Sequence, residues 1–240
     1  WLSGREEELQ ARHRDSGRFP VIIKVRPFRL GERNMYTALV DDNSERKALM
    51  DHLRHMAEHD GLTGLYNRGH LMTELTRTVD RAQRDGPTCA LLYIDLDNFK
   101  YVNDTLGHAA GDRLLIEVAG ILHRRARRGD LVARLGGDEF TVLLYDTHLD
   151  MAWHVADSFR HALGDLRQRG AQQTDIGCSI GVALIEKNAH SAEDILARAD
   201  LACHLAKRSG RNSVHVFDPA DESRVTAMSL DMGWTRRIKE

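Results

Sequence analysis

Arg134-Leu135-Gly136-Gly137-Asp138-Glu139-Phe140 lies between two apolar runs, Leu131-Val132-Ala133 before it and Phe140-Thr141-Val142-Leu143-Leu144-Tyr145 after it. Two strands separated by a Gly-Gly pair read as a hairpin. Glycines at its tip let the backbone take positive φ and let a ligand come close to the main chain. Asp138 and Glu139 follow at once on the returning strand, where alternation sends their side chains to opposite faces. An acidic Gly-Gly-Asp turn by itself is more often a solvated loop than a site. Its meaning depends on what the rest of the chain brings to it.

Upstream, Cys89 to Ile94 is a continuous apolar run, the pattern of a strand covered on both faces, and it ends at Asp95-Leu96-Asp97-Asn98-Phe99-Lys100. Carboxylates at the end of a buried strand are costly unless they meet a cation. If that strand neighbours the hairpin, two acidic pairs converge, Asp95 with Asp97 and Asp138 with Glu139. Hard oxygen ligands gathered this way suit Mg²⁺ bound together with substrate phosphates. Such a metal polarises a phosphoryl group and lowers the pKa of an attacking hydroxyl. Spacing alone leaves open a structural reading in which the carboxylates only cap loops.

Composition sets the frame. The 240 residues, 42% hydrophobic and 29% charged, are those of an ordinary globular chain with room for one sizeable domain and an extra piece. A formal net charge of -2 gives no general attraction to nucleic acid or anionic lipid, so phosphate binding must come from local clusters and no nucleic-acid partner is expected. Cys89, Cys178 and Cys203 are widely spaced among apolar residues and read as reduced core thiols of a cytoplasmic domain, not as a disulfide or zinc framework. No apolar run is long enough to cross a bilayer and no signal peptide is visible. The chain begins at Trp1 without methionine and ends in helix-like sequence, as a fragment of a longer protein would. An anchor upstream of such a fragment is compatible with all of this.

Further outward, the helical spacing of apolar residues predicts helices from about Arg68 to Asp85, Ala110 to Arg127, Met151 to Arg169, and from a Ser191 cap to Arg208, closed by Gly210. Asp112 falls in the first turn of the second of these. Cys178 to Ala183, within Asp175 to Ile185, and Ser213 to Phe217 read as strands. Strands and helices alternate into one α/β layer structure.

Before this domain, Phe19 to Arg26 and Met35 to Val40 read as two strands turning at Gly31-Glu32-Arg33-Asn34. With the turn at Asp15-Ser16-Gly17-Arg18 and the exit through Asp42-Asn43-Ser44, residues 1–44 resemble the closing strands of a PAS sensor domain. The strands that would front its pocket are absent, so the resemblance assigns no cofactor. Residues 45–59 follow as a linker helix with Ser44 as its N-cap. Its apolar stripe, Ala48, Leu49, Leu53 and Met56, is either a dimer seam or a face packed on its own domain.

Four separated stretches, Asp60 to Arg68, Asp95 to Asp112, Arg134 to Phe140 and Ala199 to Asn212, together resemble the GGDEF family of diguanylate cyclases, in the family's order over about residues 60 to 218. The resemblance implies an α+β, nucleotidyl-cyclase-like fold over 60–220, with a central, mostly antiparallel sheet flanked by helices. It implies that Asp95, the backbone carbonyl of Leu96 and Glu139 hold Mg²⁺, with Mn²⁺ as an alternative. Asp138 would be a further ligand or help to deprotonate the ribose 3′-hydroxyl. Gly136 and Gly137 would let the hairpin pass over the triphosphate, Lys100, Lys207 and Arg211 would neutralise phosphates, and Asn103 and Asp112 would read the guanine edge.

The implied reaction condenses two GTP into cyclic di-GMP with release of two pyrophosphates. Each domain holds one GTP, so a two-fold homodimer is part of the chemistry. Arg127 and Asp130, an Arg-x-x-Asp with five residues between it and the Gly-Gly turn, match the family's inhibitory product site. The late helix reads Cys203-His204 where the family has Leu-Tyr, and His204 is taken as a packing substitution. Residues 221–240, from Ser223 onward, resemble the connector that leads into an EAL phosphodiesterase domain. The competing class is therefore a catalytically silent GTP-binding module that regulates an EAL neighbour. The retained Asp95, Asp138, Glu139, Lys207 and Arg211 favour turnover.

Overall fold

The computed structural model describes residues 6–14, 17–168 and 177–221, and the chain divides into two compact units, Trp1–Ala57 and Glu58–Glu240. The expectations for Asp15 and Ser16, for the helix end at Arg169, for Asp175 and for the connector from Ser223 lie outside the described residues. In the first unit β1 (Glu6–His13), β2 (Gly17–Leu30) and β3 (Arg33–Asp42) form an antiparallel sheet in that order. Leu30 pairs with Arg33, so the turn is Gly31-Glu32, with Gly31 at a φ of 61° that suits glycine. Helix α1 (Ser44–Glu58) follows. Asn43, not Ser44, holds its capping position: the Asn43 carbonyl accepts from the Lys47 N–H at 3.0 Å, and the Asp42 carboxylate accepts from the Ser44 N–H at 2.9 Å. Leu49, Leu53 and Met56 of the expected stripe are exposed, and so is Met50 beside them.

The second unit runs α2 (Arg68–Gln83), β4 (Cys89–Asp97), α3 (Phe99–Leu106), α4 (His108–Arg125), β5 (Leu131–Gly136), β6 (Glu139–Leu144), α5 (Leu149–Gly164), β7 (Gly177–Ile185), α6 (Ala192–Arg208) and β8 (Val214–Val216). The sheet order is β5-β6-β4-β7-β8. All pairs are antiparallel except β7 with β8. Every residue of β4 is buried, as its unbroken apolar run requires. One face, Ala90, Leu92, Ile94 and Leu96, packs with Leu115, Val118 and Leu122 of α4 and Phe159 of α5. The other, Leu91 and Tyr93, packs with Leu71 and Leu75 of α2 and Ile195 and Ala199 of α6. The closest approach is at Gly181 of β7, where a Cβ would lie 2.0 Å from the Ala199 carbonyl oxygen and 2.2 Å from the Cys203 nitrogen. Helix α6 lies on β7 backbone to backbone.

Two sequence expectations change here. Residues 99–106 form a separate helix that enters through Asn98 at a left-handed φ of 61°. Because α4 then starts at His108, Asp112 stands beyond its first turn. Ser191 caps α6 as expected, accepting from the Asp194 N–H at 3.1 Å.

Candidate active site

The β4–β6 register sets Asp95 directly opposite Glu139. The Leu96 N–H donates to the Asp138 carbonyl at 3.3 Å, which ties the end of β4 to the hairpin tip. Alternation along β4 puts Asp95 on the same face as Tyr93, the side covered by α2 and α6. From the end of α6, Lys207 reaches down so that its Nζ is 2.5 Å from Asp95 Oδ2. The other oxygen, Asp95 Oδ1, is buried and has no hydrogen-bond partner among the described residues. An orphaned carboxylate oxygen is costly in a protein interior and marks a place where a cation or donor belongs. Among the described residues no group of three or more His, Cys, Asp or Glu side chains is arranged to hold a metal by itself. The donor set therefore fits an ion that arrives with phosphate oxygens completing its shell, the habit of Mg²⁺.

Burial pushes the Asp95 carboxyl up from 3.8 to about 6; the Lys207 ammonium pulls it down, and Asp138 and Glu139 push it further up. Burial also works against the Lys207 charge, but Asp95 outweighs it and raises that pKa. The Tyr93 hydroxyl is likewise raised by burial and by its hydrogen bond to Glu139. Glu139 and Tyr93 line a hollow of about 560 Å³ with Arg68, Met72, Glu193 and Asp200, so Glu139 is reachable from the α2–α6 side.

Because the folded chain holds the Asp95 proton more tightly than the unfolded chain does, stability from this group is full in acid and is lost as pH rises from 3.8 to about 6. Urea denaturation of the metal-free chain across that window is expected to show this fall, and Asp95→Asn to flatten it. An unchanged slope in the variant would assign the titration elsewhere.

The turn is held from outside by Arg134. Its Nε and Nη2 donate to the Gly137 carbonyl at 3.1 and 2.8 Å, and its Nη1 donates to both Asp60 oxygens at 3.0 and 3.2 Å. Burial would raise the Asp60 pKa, but hydrogen bonds from Thr63 and Arg134 outweigh it and leave it lowered. Gly136 and Gly137 take φ of 144° and 52°, both in the region that favours glycine. One guanidinium thus joins the opening Asp60-Gly61-Leu62-Thr63 turn to the hairpin tip. Lysine cannot make this fork, so Arg134→Lys is expected to lower stability by about 1–2 kcal/mol, read as a lower urea midpoint. An unmoved midpoint would mean that the fork carries no stability.

The structure separates Asp97 from the acidic group. Its Oδ1 accepts from the Ser179 hydroxyl and its Oδ2 from the Asn212 N–H, both at 2.9 Å, so its oxygens serve protein donors. The α3–α4 packing sets Asn103 over Gly111, the residue before Asp112: a Cβ there would be 2.0 Å from Asn103 Oδ1. Asp112 is the next residue and is exposed, and Lys100 is exposed at the start of α3. Arg211 is exposed in the loop after α6, at a φ of 61°. His204 is exposed on α6 and packs no core, contrary to the sequence expectation; Cys203 beside it is buried and its thiol donates to the Ser179 carbonyl at 3.2 Å. Arg127 and Asp130 form a closed turn at the opposite end of β5: the Asp130 carboxylate accepts from the Arg127 N–H at 3.1 Å, and the Arg127 carbonyl accepts from the Asp130 N–H at 3.0 Å.

Two carboxylates on neighbouring interior strands thus stand beneath a glycine turn, with a lysine from the last turn of α6 on one of them. The family profile described as "Diguanylate cyclase, GGDEF domain" matches residues 57–213. The chain belongs to this GGDEF family. It is 37% identical to the Escherichia coli (strain K12) protein named "Probable diguanylate cyclase DgcE" over 99% of this chain and 22% of that protein. It is 40% identical to "Diguanylate cyclase DgcP" of Pseudomonas aeruginosa over 72% of this chain and 26% of that one. The chain thus spans about a quarter of the length of these relatives or less. Among solved structures, the coiled coil and GGDEF domain of DgcB from Caulobacter crescentus in complex with c-di-GMP matches with a TM-score of 0.66 at 32% identity, covering 72% of this chain and 94% of that one. The GGDEF domain of PA1120 (TpbB or YfiN) from Pseudomonas aeruginosa matches with a TM-score of 0.64 at 37% identity, covering 70% and 99%. No helix among the described residues is long and apolar enough to cross a membrane.

Proposed function

We propose that this chain is a diguanylate cyclase that condenses two GTP into cyclic di-GMP across a two-fold dimer. The observation that carries the reading is the unpartnered Asp95 Oδ1 opposite Glu139, with Lys207 already seated on the other Asp95 oxygen. In this reading Asp95, the Leu96 carbonyl and Glu139 hold Mg²⁺, with Asp138 as a further ligand or as the group that takes the 3′-hydroxyl proton. The bound ion supplies charge neutralisation at the phosphates and a lower pKa for the attacking hydroxyl. Lys100, Lys207 and Arg211 neutralise the triphosphate, Gly136 and Gly137 let the turn approach it, and Asn103 with Asp112 bind the guanine edge.

Each ribose 3′-oxygen attacks the α-phosphorus of the GTP in the other protomer. A P–O bond forms, the bond to the β-phosphate oxygen breaks, and pyrophosphate leaves. Because one domain holds one GTP, a single copy is inactive and rate depends steeply on protein concentration below the dimer dissociation constant. Arg127 and Asp130 bind the product in this reading and slow turnover. Relatives solved with c-di-GMP are consistent with that role. The first unit is then the closing part of a PAS-like sensor sheet.

The test is to incubate the chain with GTP and Mg²⁺ and follow cyclic di-GMP by chromatography. Product that needs Mg²⁺ and rises with protein concentration is expected. Tight Mg²⁺-dependent GTP binding with no product at high concentration would instead favour a regulatory module.

A further inference from the structure

We infer that Asp97 is a positioning residue: its carboxylate latches the 209–213 loop to the end of β4 and thereby sets affinity for the GTP triphosphate through Arg211. This rests on the reading of Arg211 as a phosphate ligand. Asp97 is 4% exposed. Its two oxygens accept from the Ser179 hydroxyl on β7 and from the Asn212 N–H, 115 residues further along the chain.

The loop it holds is backbone-strained. Gly210, Arg211 and Asn212 take φ of 120°, 61° and 45° in succession. Two consecutive non-glycine residues in the left-handed region persist only where surrounding contacts over-determine them. Those contacts are present on both sides. The Ser213 hydroxyl donates to the Ala206 carbonyl at 3.0 Å, and the Ser213 carbonyl accepts from the Ile180 N–H at 2.9 Å. On the other side Asp97 takes the Asn212 N–H. Gly177 leaves the room for this closure, since a Cβ there would stand 3.1 Å from Asn212 Cβ and 3.2 Å from Asp97 Oδ2.

The two acids of β4 therefore divide their work along one segment. Asp95 pairs with Lys207 where α6 ends, and Asp97 fixes Asn212 five residues later, so Arg211 is presented from a loop held at both ends. Both Asp97 oxygens already serve neutral donors, which leaves its charge dispensable and its acceptor geometry essential.

That distinction sets the experiment, with GTP binding measured calorimetrically in Mg²⁺ on the full chain. Asp97→Asn keeps an acceptor for the Asn212 N–H, and its amide group can donate to the Ser179 oxygen. Its GTP affinity is expected within about twofold of wild type, with unchanged Mg²⁺ dependence. Asp97→Ala is expected to bind GTP about tenfold more weakly. The double variant Asp97→Ala/Arg211→Ala is expected to be no weaker than Arg211→Ala alone, because the latch acts through that arginine. Ser179→Ala, which keeps the Asn212 bond, is expected to bind as wild type does and covers the case in which the Ala variant does not fold. Amide exchange at Arg211 and Asn212 in the nucleotide-free chain should quicken in Asp97→Ala and stay slow in Asp97→Asn.

An Asn variant as weak as the Ala variant would assign Asp97 a charge or metal role and overturn the latch, as would additive losses in the double variant. A wild type that fails to bind GTP would overturn the functional reading and the inference together. A binding wild type with an unaffected Ala variant would overturn the inference alone.

Discussion

Glu139→Gln is expected to reduce cyclic di-GMP formation by about a thousandfold or more, equivalent to roughly 4 kcal/mol of lost transition-state stabilisation. The substitution keeps volume and shape and removes one charge. In the fold that charge sits on the first residue of β6, opposite Asp95, where it helps to push the Asp95 carboxyl up to about 6. Removing it lets Asp95 ionise more readily, so the variant is expected to fold at least as stably as wild type in neutral, metal-free buffer. Lost activity with retained stability is the signature of a group needed for ion and phosphate and not for packing. Circular dichroism melts beside the chromatographic assay measure both quantities. Product at more than about a tenth of the wild-type rate would remove Glu139 from the reacting group.

The second large effect is structural. Gly181→Ala is expected to destabilise the second unit by about 3 kcal/mol or more, beyond the usual cost of overpacking. The added carbon would meet main-chain atoms of α6 at 2.0 and 2.2 Å, and main chain cannot rotate away as a side-chain tip does. Helix α6 would have to lift from β7 by more than an ångström. It would take with it Ile195, Leu196 and Cys203 from the core and Lys207 from Asp95. Chemical denaturation and GTP binding should therefore fail together. A denaturation midpoint equal to wild type would mean that α6 tolerates the shift, contrary to the packing described above.

Much of this was readable from residue pattern. The continuous apolar run predicted β4 as a doubly covered strand because both its faces are buried, and the Gly-Gly pair predicted the hairpin because its tip needs positive φ. Convergence of Asp95 with Glu139 followed from treating the two strands as neighbours, as they are. What stayed hidden lacks a local signal. Strand β1, Glu-Glu-Glu-Leu-Gln-Ala-Arg-His, carries no apolar alternation, since nearly all of it is exposed even when paired. Helix α3 was absorbed into the loop after Asp95 because it is short and enters through a left-handed Asn98. Spacing groups Asp97 with Asp95 in one acidic pair because it cannot reveal a partner 115 residues away. The Arg134–Asp60 fork spans 74 residues and was invisible for the same reason.

Those separations bear on when the site comes into being. Closing loops of such length costs entropy that local structure cannot offset in advance. Asp95 and Glu139 can pair once β4 and β6 have formed, but Lys207, Arg211 and Asn212 belong to the last helix and the loop before β8, at the end of the described chain. A chain still being synthesised, or one truncated before α6, carries the acidic pair without Lys207 and Arg211. Of the cations that the proposed function assigns to the phosphates, it holds Lys100 alone. The order of the elements in the chain thus makes the Lys207–Asp95 pair and the Asp97–Asn212 contact among the last parts of the domain that can form.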